Sequence, residues 1–173
     1  MSSTSVKIRI AGIVAESIVD GPGFRYVVFT QGCPHKCTGC HNPHTHDPVG
    51  GYEMDIADIL AQIDKNPLLD GITLSGGEPM LQAKSLRFLA KEVKRRGLTV
   101  MIYSGYTYEQ IMQEDTMKAI LPYCDILVDG LYDQTRRQLS LRYRGSSNQR
   151  LIDVQATLQT GSVAEYTEEE LDL

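Results

Sequence analysis

Three of the four cysteines in this chain fall within Gly32-Cys33-Pro34-His35-Lys36-Cys37-Thr38-Gly39-Cys40-His41-Asn42, at Cys-x3-Cys-x2-Cys spacing. Thiols this close, in a loop containing Gly and Pro, point to one shared metal centre. A disulfide framework would use an even number of cysteines spread along the chain. A cubane iron–sulfur cluster has four irons, and each normally takes one thiolate. Three local cysteines therefore leave one iron open, and an open metal position is where a substrate or cofactor binds, as in catalytic zinc sites. Zinc itself is the rival. All four histidines (His35, His41, His44, His46) lie in or just after the loop, and a closed Cys3His site is chemically reasonable. The loop alone divides evenly between the two.

The rest of the chain narrows the choice. Its 173 residues suit one domain spanning 1–173, with a core of about 6–152 and an acidic tail of about 164–173. A net charge of −5 gives no support to nucleic-acid binding, which usually shows a basic balance. No stretch is apolar and long enough to span a membrane. Met1 to Ser5 is polar and runs directly into a strand pattern, so no signal peptide is expected. Clustered free cysteines in a non-secreted chain imply a cytoplasmic protein.

Apolar runs that read as strands alternate with helical patterns. Val6 to Ile10 alternates apolar and polar, and Tyr26 to Phe29 is a short buried-strand run ending at Gly32. Met54 to Ile63 carries Ile56, Ile59, Leu60 and Ile63 on one helical face. Ile72 to Leu74 is the next strand. Ser85 to Arg96 reads as a helix stopped by Gly97. Leu98 to Tyr103 is a strand, and Thr107 with Gln110 forms a capping pair for a helix running to about Ile120. Asp125 to Gly130 is a further strand. This α/β alternation predicts a parallel sheet with helical crossovers. A full eight-unit barrel needs about 200 to 250 residues, so the expectation is a partial, open βα barrel. Its site would lie at the C-terminal strand ends, where the cysteine loop, Ser75 to Pro79, Ser104 to Tyr106 and Asp129-Gly130 converge.

Ser75-Gly76-Gly77-Glu78-Pro79 is the second informative motif. Two glycines after a strand allow positive φ and close approach to a ligand, and the Glu78 carboxylate is available to an amine. The plain alternative is a strand-to-helix turn, which a lone Gly-Gly most often is. Beside an open-iron cysteine loop, the ligand-binding reading is the better one.

With both motifs in place the sequence resembles the radical S-adenosylmethionine enzymes, and within them the glycyl-radical activases, above all those of anaerobic ribonucleoside-triphosphate reductase. The matching stretches are Asp20 to Gly23 with Arg25, Gly32 to Asn42, Leu74 to Pro79, Tyr103 to Tyr106, Leu127 to Gly130 and Tyr143 to Arg150. They cover about Ile18 to Ile152 in family order. The Arg-Gly-Ser-Ser-Asn-Gln stretch is the part most specific to the reductase activases.

The resemblance implies a partial barrel of the radical S-adenosylmethionine type, with Cys33, Cys37 and Cys40 ligating a [4Fe-4S] cluster. Its open iron would chelate the methionine moiety of S-adenosylmethionine. Reductive cleavage would give a 5′-deoxyadenosyl radical, which takes a hydrogen atom from a glycine of the reductase large subunit. Gly76, Gly77 and Glu78 would meet the methionine amino group, and Gly39 and His41 the adenine. Asp129 would hold the cofactor or a cation, or else simply cap its strand. The implied partners are the large subunit and a low-potential electron donor such as flavodoxin, and a homodimer is possible. Two departures stand out. Gly39 occupies a position that is often aromatic in the superfamily, which argues against stacking there. His41 replaces an aromatic residue common in the family, although histidine also occurs in pyruvate formate-lyase activases.

Pyruvate formate-lyase activation is the nearest alternative enzyme, and a non-catalytic zinc-binding adaptor is the alternative from another class. The remaining features favour plainer roles. Cys124 is expected to be a buried thiol. His35, His44 and His46 are expected on loops or at the surface, and Lys91 to Arg96 forms a solvated helix end. Arg136 to Arg150 is expected to be a docking surface or a set of solvated charges, with Asn148 and Arg150 specific to activation of the reductase. Glu165 to Leu173 is expected to fray.

Overall fold

A computed structural model describes residues 5–172. The expectations resting on Met1 to Thr4 and on Leu173 lie outside the described residues. The strands are β1 (Lys7–Ser17), β2 (Arg25–Thr30), β3 (Tyr52–Asp55), β4 (Gly71–Gly76), β5 (Thr99–Tyr103), β6 (Ile126–Asp129) and β7 (Arg150–Asp153). The helices are α1 (Ile56–Asp64), α2 (Ala83–Arg95), α3 (Tyr108–Met112), α4 (Asp115–Lys118) and α5 (Val154–Thr160). All seven strands join one open sheet in the order β3-β1-β2-β4-β5-β6-β7. Among the described residues no helix is long and apolar enough to cross a membrane.

Only the four central strands, β2, β4, β5 and β6, run parallel. The expected all-parallel sheet is corrected at both edges, where β1, β3 and β7 pair antiparallel. For β1, connection length is the reason. A parallel return needs a crossover of a dozen or more residues, usually through a helix, and β1 and β2 are joined by residues 18–24 alone. β7 enters opposite the end of β6, with Asp129 paired to Arg150, and runs back alongside it.

The two faces of the sheet are covered differently. Ile72, Leu74, Val100, Ile102 and Leu127 form one core with Ile59 of α1 and Leu86, Leu89 and Val93 of α2. On the other face Met101, Ile126, Val128 and Leu151 cluster with Leu171 from the chain end. The acidic tail is therefore docked, which corrects the expected fraying. Tyr166 N–H donates to Leu151 O at 2.7 Å, and Asp153 N–H to Ala164 O at 2.8 Å. Glu168 also pairs with Arg144 at 2.7 Å.

Thr107 and Gln110 form the expected reciprocal cap, but the helix breaks after Met112 and restarts at Asp115. Ile111 and Ile120 are both buried. At 100° per residue an unbroken helix would point them to opposite sides, and the break brings both into the core. Helix α5 was not foreseen from the sequence. Asp153 caps it by accepting from Ala156 N–H, and Gly161 ends it in a left-handed conformation. Cys124 is fully buried as expected, its Sγ donating to Ile126 O at 3.1 Å, and burial pushes this thiol far up.

Two further expectations change at the end of β6. Asp129 is buried, at 1% exposure, and it is already paired. Arg150 Nε donates to Asp129 Oδ1 at 3.0 Å and Arg150 Nη2 to Oδ2, while Tyr108 N–H takes Oδ2 at 2.7 Å. A buried carboxylate saturated in this way is a strut between β6, β7 and α3, and it holds no ligand. Arg150 also reaches Glu109 at 2.7 Å, so it belongs to the framework and its loss should not affect one partner alone. Removing it leaves a buried, unpaired charge. Arg150→Ala is expected to cost about 3 kcal/mol, read as a lower urea midpoint. Glu109→Ala, at the exposed end of the same pair, should cost under about 1 kcal/mol.

Candidate functional site

The cysteine loop leaves the sheet at the C-terminal end of β2. Its base is closed by the backbone, with Gly32 N–H on Thr45 O at 2.6 Å and Cys33 N–H on His46 O at 3.2 Å. Gln31 Nε2 adds bonds to His44 O and Asp47 O at 3.0 and 2.8 Å. So held, the loop brings Cys33, Cys37 and Cys40 to the wall of one cavity of about 540 Å³. That volume is typical of a small-molecule or cofactor site. Ser75, Gly76 and Gly77 at the end of β4, Ser104 and Gly105 after β5, and Gly130 after β6 complete much of the wall. The segments expected to meet at the strand ends do meet there.

Asn42 N–H reaches Cys40 Sγ at 3.4 Å. Burial pushes the Cys33 and Cys37 thiols up, and the polar backbone near His35 and Tyr132 opposes it. His46 Nε2 also lies 3.3 Å from Cys40 Sγ. Among the described residues no three Cys, His, Asp or Glu groups converge as one bound ion requires. Three thiols around one cavity are a donor set that fits a multi-iron cluster held at three corners.

The glycine pair is required by packing, whatever binds beside it. Gly76 has φ +96, and a Cβ there would lie 2.4 Å from Thr30 N. A Cβ on Gly77 would lie 2.3 Å from Gly32 O. The turn thus lies directly against the root of the cysteine loop while its backbone borders the cavity.

Two proposed contacts are corrected. The Glu78 carboxylate is buried, at 1% exposure for the residue, and does not line the cavity. It accepts from Met80 N–H at 2.9 Å, Gly105 N–H at 2.7 Å and Ser104 Oγ at 3.0 Å, and lies 2.7 Å from His35 Nε2. Its oxygens are bonded within the protein, and the backbone of this turn, not the carboxylate, borders the cavity. Gly39, with φ +74, packs on Gln134, where a Cβ would approach to 3.0 Å. It is not part of the cavity wall. His41 does line the cavity, its ring 5.0 Å from that of Tyr132.

Sequence reasoning missed His35 and His46, which reach Glu78 and Cys40 and are not simply surface groups. It also missed Arg144 and Tyr143 on the wall. The Arg-Gly-Ser-Ser-Asn-Gln stretch proves to be a self-pinned loop. Gln149 Oε1 accepts from Gly145 and Ser146 N–H, Gln149 Nε2 donates to Gly130 O, and Asn148 Nδ2 donates to Leu131 O. Arg144 and Arg150 are paired internally, which removes two arginines from the expected docking surface.

Residues 19–152 match the family described as a 4Fe-4S single cluster domain. The anaerobic ribonucleoside-triphosphate reductase-activating protein of Vibrio cholerae is 36% identical over 140 residues, covering 76% of this chain and 89% of that protein. Its counterpart from Enterobacteria phage T4 is 35% identical over 139 residues, covering 77% and 86%. The chain belongs to the family of anaerobic ribonucleoside-triphosphate reductase-activating proteins. The pyruvate formate-lyase 1-activating enzyme of Escherichia coli K12 is 31% identical over 157 residues. That match covers 86% of this chain but 61% of that enzyme. The near-full coverage of the reductase-activating relatives sets this chain with them in length as well as in motif.

The cavity makes a direct expectation for the metal-free protein. Under anaerobic conditions iodoacetamide should label Cys33, Cys37 and Cys40, all partly exposed, and leave buried Cys124 unlabelled until urea unfolds the chain. Peptide mapping by mass spectrometry reads all four positions.

Proposed function

We propose that this protein is the radical S-adenosylmethionine activase of an anaerobic ribonucleotide reductase. The observation that carries the reading is the placement of three thiols and the Gly76–Gly77 backbone around one cavity at the ends of parallel strands. Cys33, Cys37 and Cys40 would hold a [4Fe-4S] cluster. When bound, the cluster would supply the electron for reductive cleavage of S-adenosylmethionine, the chemistry that generates a glycyl radical on the reductase large subunit.

The chain's own groups bind and orient. The backbone that borders the cavity at Gly76 and Gly77 receives the methionine amino group. His41, backed by Tyr132, offers a flat surface to the adenine. The walls keep water and stray hydrogen donors from the site. We read the open sheet as the partial βα barrel of this superfamily and the chain as a single domain. With β3 and β7 left as separate edges, the sheet does not close, and a loop of the large subunit has a way in.

The test is anaerobic reconstitution with iron and sulfide, reduction, and addition of S-adenosylmethionine with the large subunit. Iron with acid-labile sulfide, 5′-deoxyadenosine, and a glycyl-radical doublet in the electron paramagnetic resonance spectrum of the large subunit are expected. Cys33→Ala, Cys37→Ala and Cys40→Ala should each reduce all three to background. A radical formed on pyruvate formate-lyase and not on the reductase would move the assignment to that partner. Stoichiometric zinc without sulfide, and no 5′-deoxyadenosine, would leave a zinc-binding adaptor.

A further inference from the structure

The spacer between the first two cysteines holds a side chain with an unusual set of contacts. His35 is nearly enclosed, its side chain 13% exposed. Its Nε2 lies 2.7 Å from Glu78 Oε1, and a carboxylate oxygen only accepts, so His35 is the donor. The ring stands edge-on to Tyr106, with centroids 4.6 Å apart. The chain makes room for it at Gly105, where a Cβ would come within 2.5 Å of the ring.

Glu78 grips the same loop a second time. Its backbone N–H donates to Gly32 O at 2.8 Å. Cys33 therefore lies between two attachments to one residue, Gly32 on its N-terminal side and His35 two residues on. Glu78 is itself fixed by Met80, Ser104 and Gly105, so the position of Cys33 is referred to the ends of β4 and β5. Cys40 takes none of this bracing; its neighbours are Asn42 and His46.

We propose that His35 is a positioning residue that holds Cys33, before any metal arrives, in register with the Gly76–Gly77 turn. The bond from its Nε2 to Glu78 makes the cysteine loop and the glycine turn one rigid unit. The corner of the site nearest the glycine turn is then preorganised, while the Cys40 corner is held separately. This rests on the reading of Cys33 as a cluster ligand, but its test does not require the reaction.

The experiment uses the metal-free full chain under anaerobic conditions, with iodoacetamide labelling rates followed at each cysteine. His35→Met keeps the length of the side chain and removes the donor. His35→Gln keeps a donor at similar reach. His35→Met should raise the Cys33 rate several-fold with little change at Cys40, and His35→Gln should restore the original rate. Buried Cys124 reports the fold in the same sample. After reconstitution, iron and sulfide per chain should fall in His35→Met and recover in His35→Gln. Equal behaviour of the Met and Gln variants would overturn the proposal, as would equal acceleration at Cys33 and Cys40, or a Cys124 that labels as fast as Cys33. If zinc replaced iron in the reconstituted wild type, the radical-enzyme reading would fail while the Cys33 labelling pattern stood.

Discussion

The buried carboxylate of Glu78 is the point on which the site depends. A charged group with almost no exposure is tolerable only when its oxygens are fully bonded. Here the donors come from the glycine turn, the end of β5 and the cysteine loop. The four donors come from three chain segments, so satisfying one carboxylate fixes three loops relative to one another. Were any to drift, an acceptor would be left short in a nearly dry interior, at a cost of about 1–3 kcal/mol. That cost keeps a loop of small and polar residues in place without a core of its own.

A similar device works at the other end of the sheet. Arg25 is buried, at 1% exposure, and donates to Thr73 Oγ1, Pro22 O, Thr99 Oγ1 and Ile72 O. Burial brings its guanidinium down to about 10, still charged at neutral pH. The loop from Ile18 to Phe24 is pulled onto the inner face of the sheet by these bonds, and Asp20 reaches the cavity wall. Asp129 with Arg150 does the same for β6 and β7. Three buried charged groups, each saturated by neighbours, thus set where the cavity begins and ends. The apolar core fixes the strands, and these polar nodes fix the loops.

Charge also explains the tail. The segment after α5 covers the inner face through Leu171 and fastens to Arg144 through Glu168. Arg144 lines the cavity, so the acidic chain end expected to fray supports a wall of the site. The family match ends at residue 152, and the support comes from just beyond it.

The sequence by itself determined the chemistry and the order of the elements. Cysteine spacing is a local property: Cys33, Cys37 and Cys40 sit in one loop whatever surrounds them. Apolar periodicity is local as well, so the central strands, α2 and the cap at Thr107 were legible. So was the convergence of loops at the strand ends, which follows from parallel β2, β4, β5 and β6. Tertiary structure decided the rest. It turned the sheet edges antiparallel, for β1 through its short connection, split the helix after Met112 to bury both Ile111 and Ile120, and docked the tail. It also decided which polar residues were free to bind. Glu78, Asp129 and Gly39 carry side chains or positions suited to a ligand, yet each is taken up by a neighbour distant in sequence. Hydrogen-bond saturation is a property of three-dimensional neighbours, and no spacing rule along a chain reveals it.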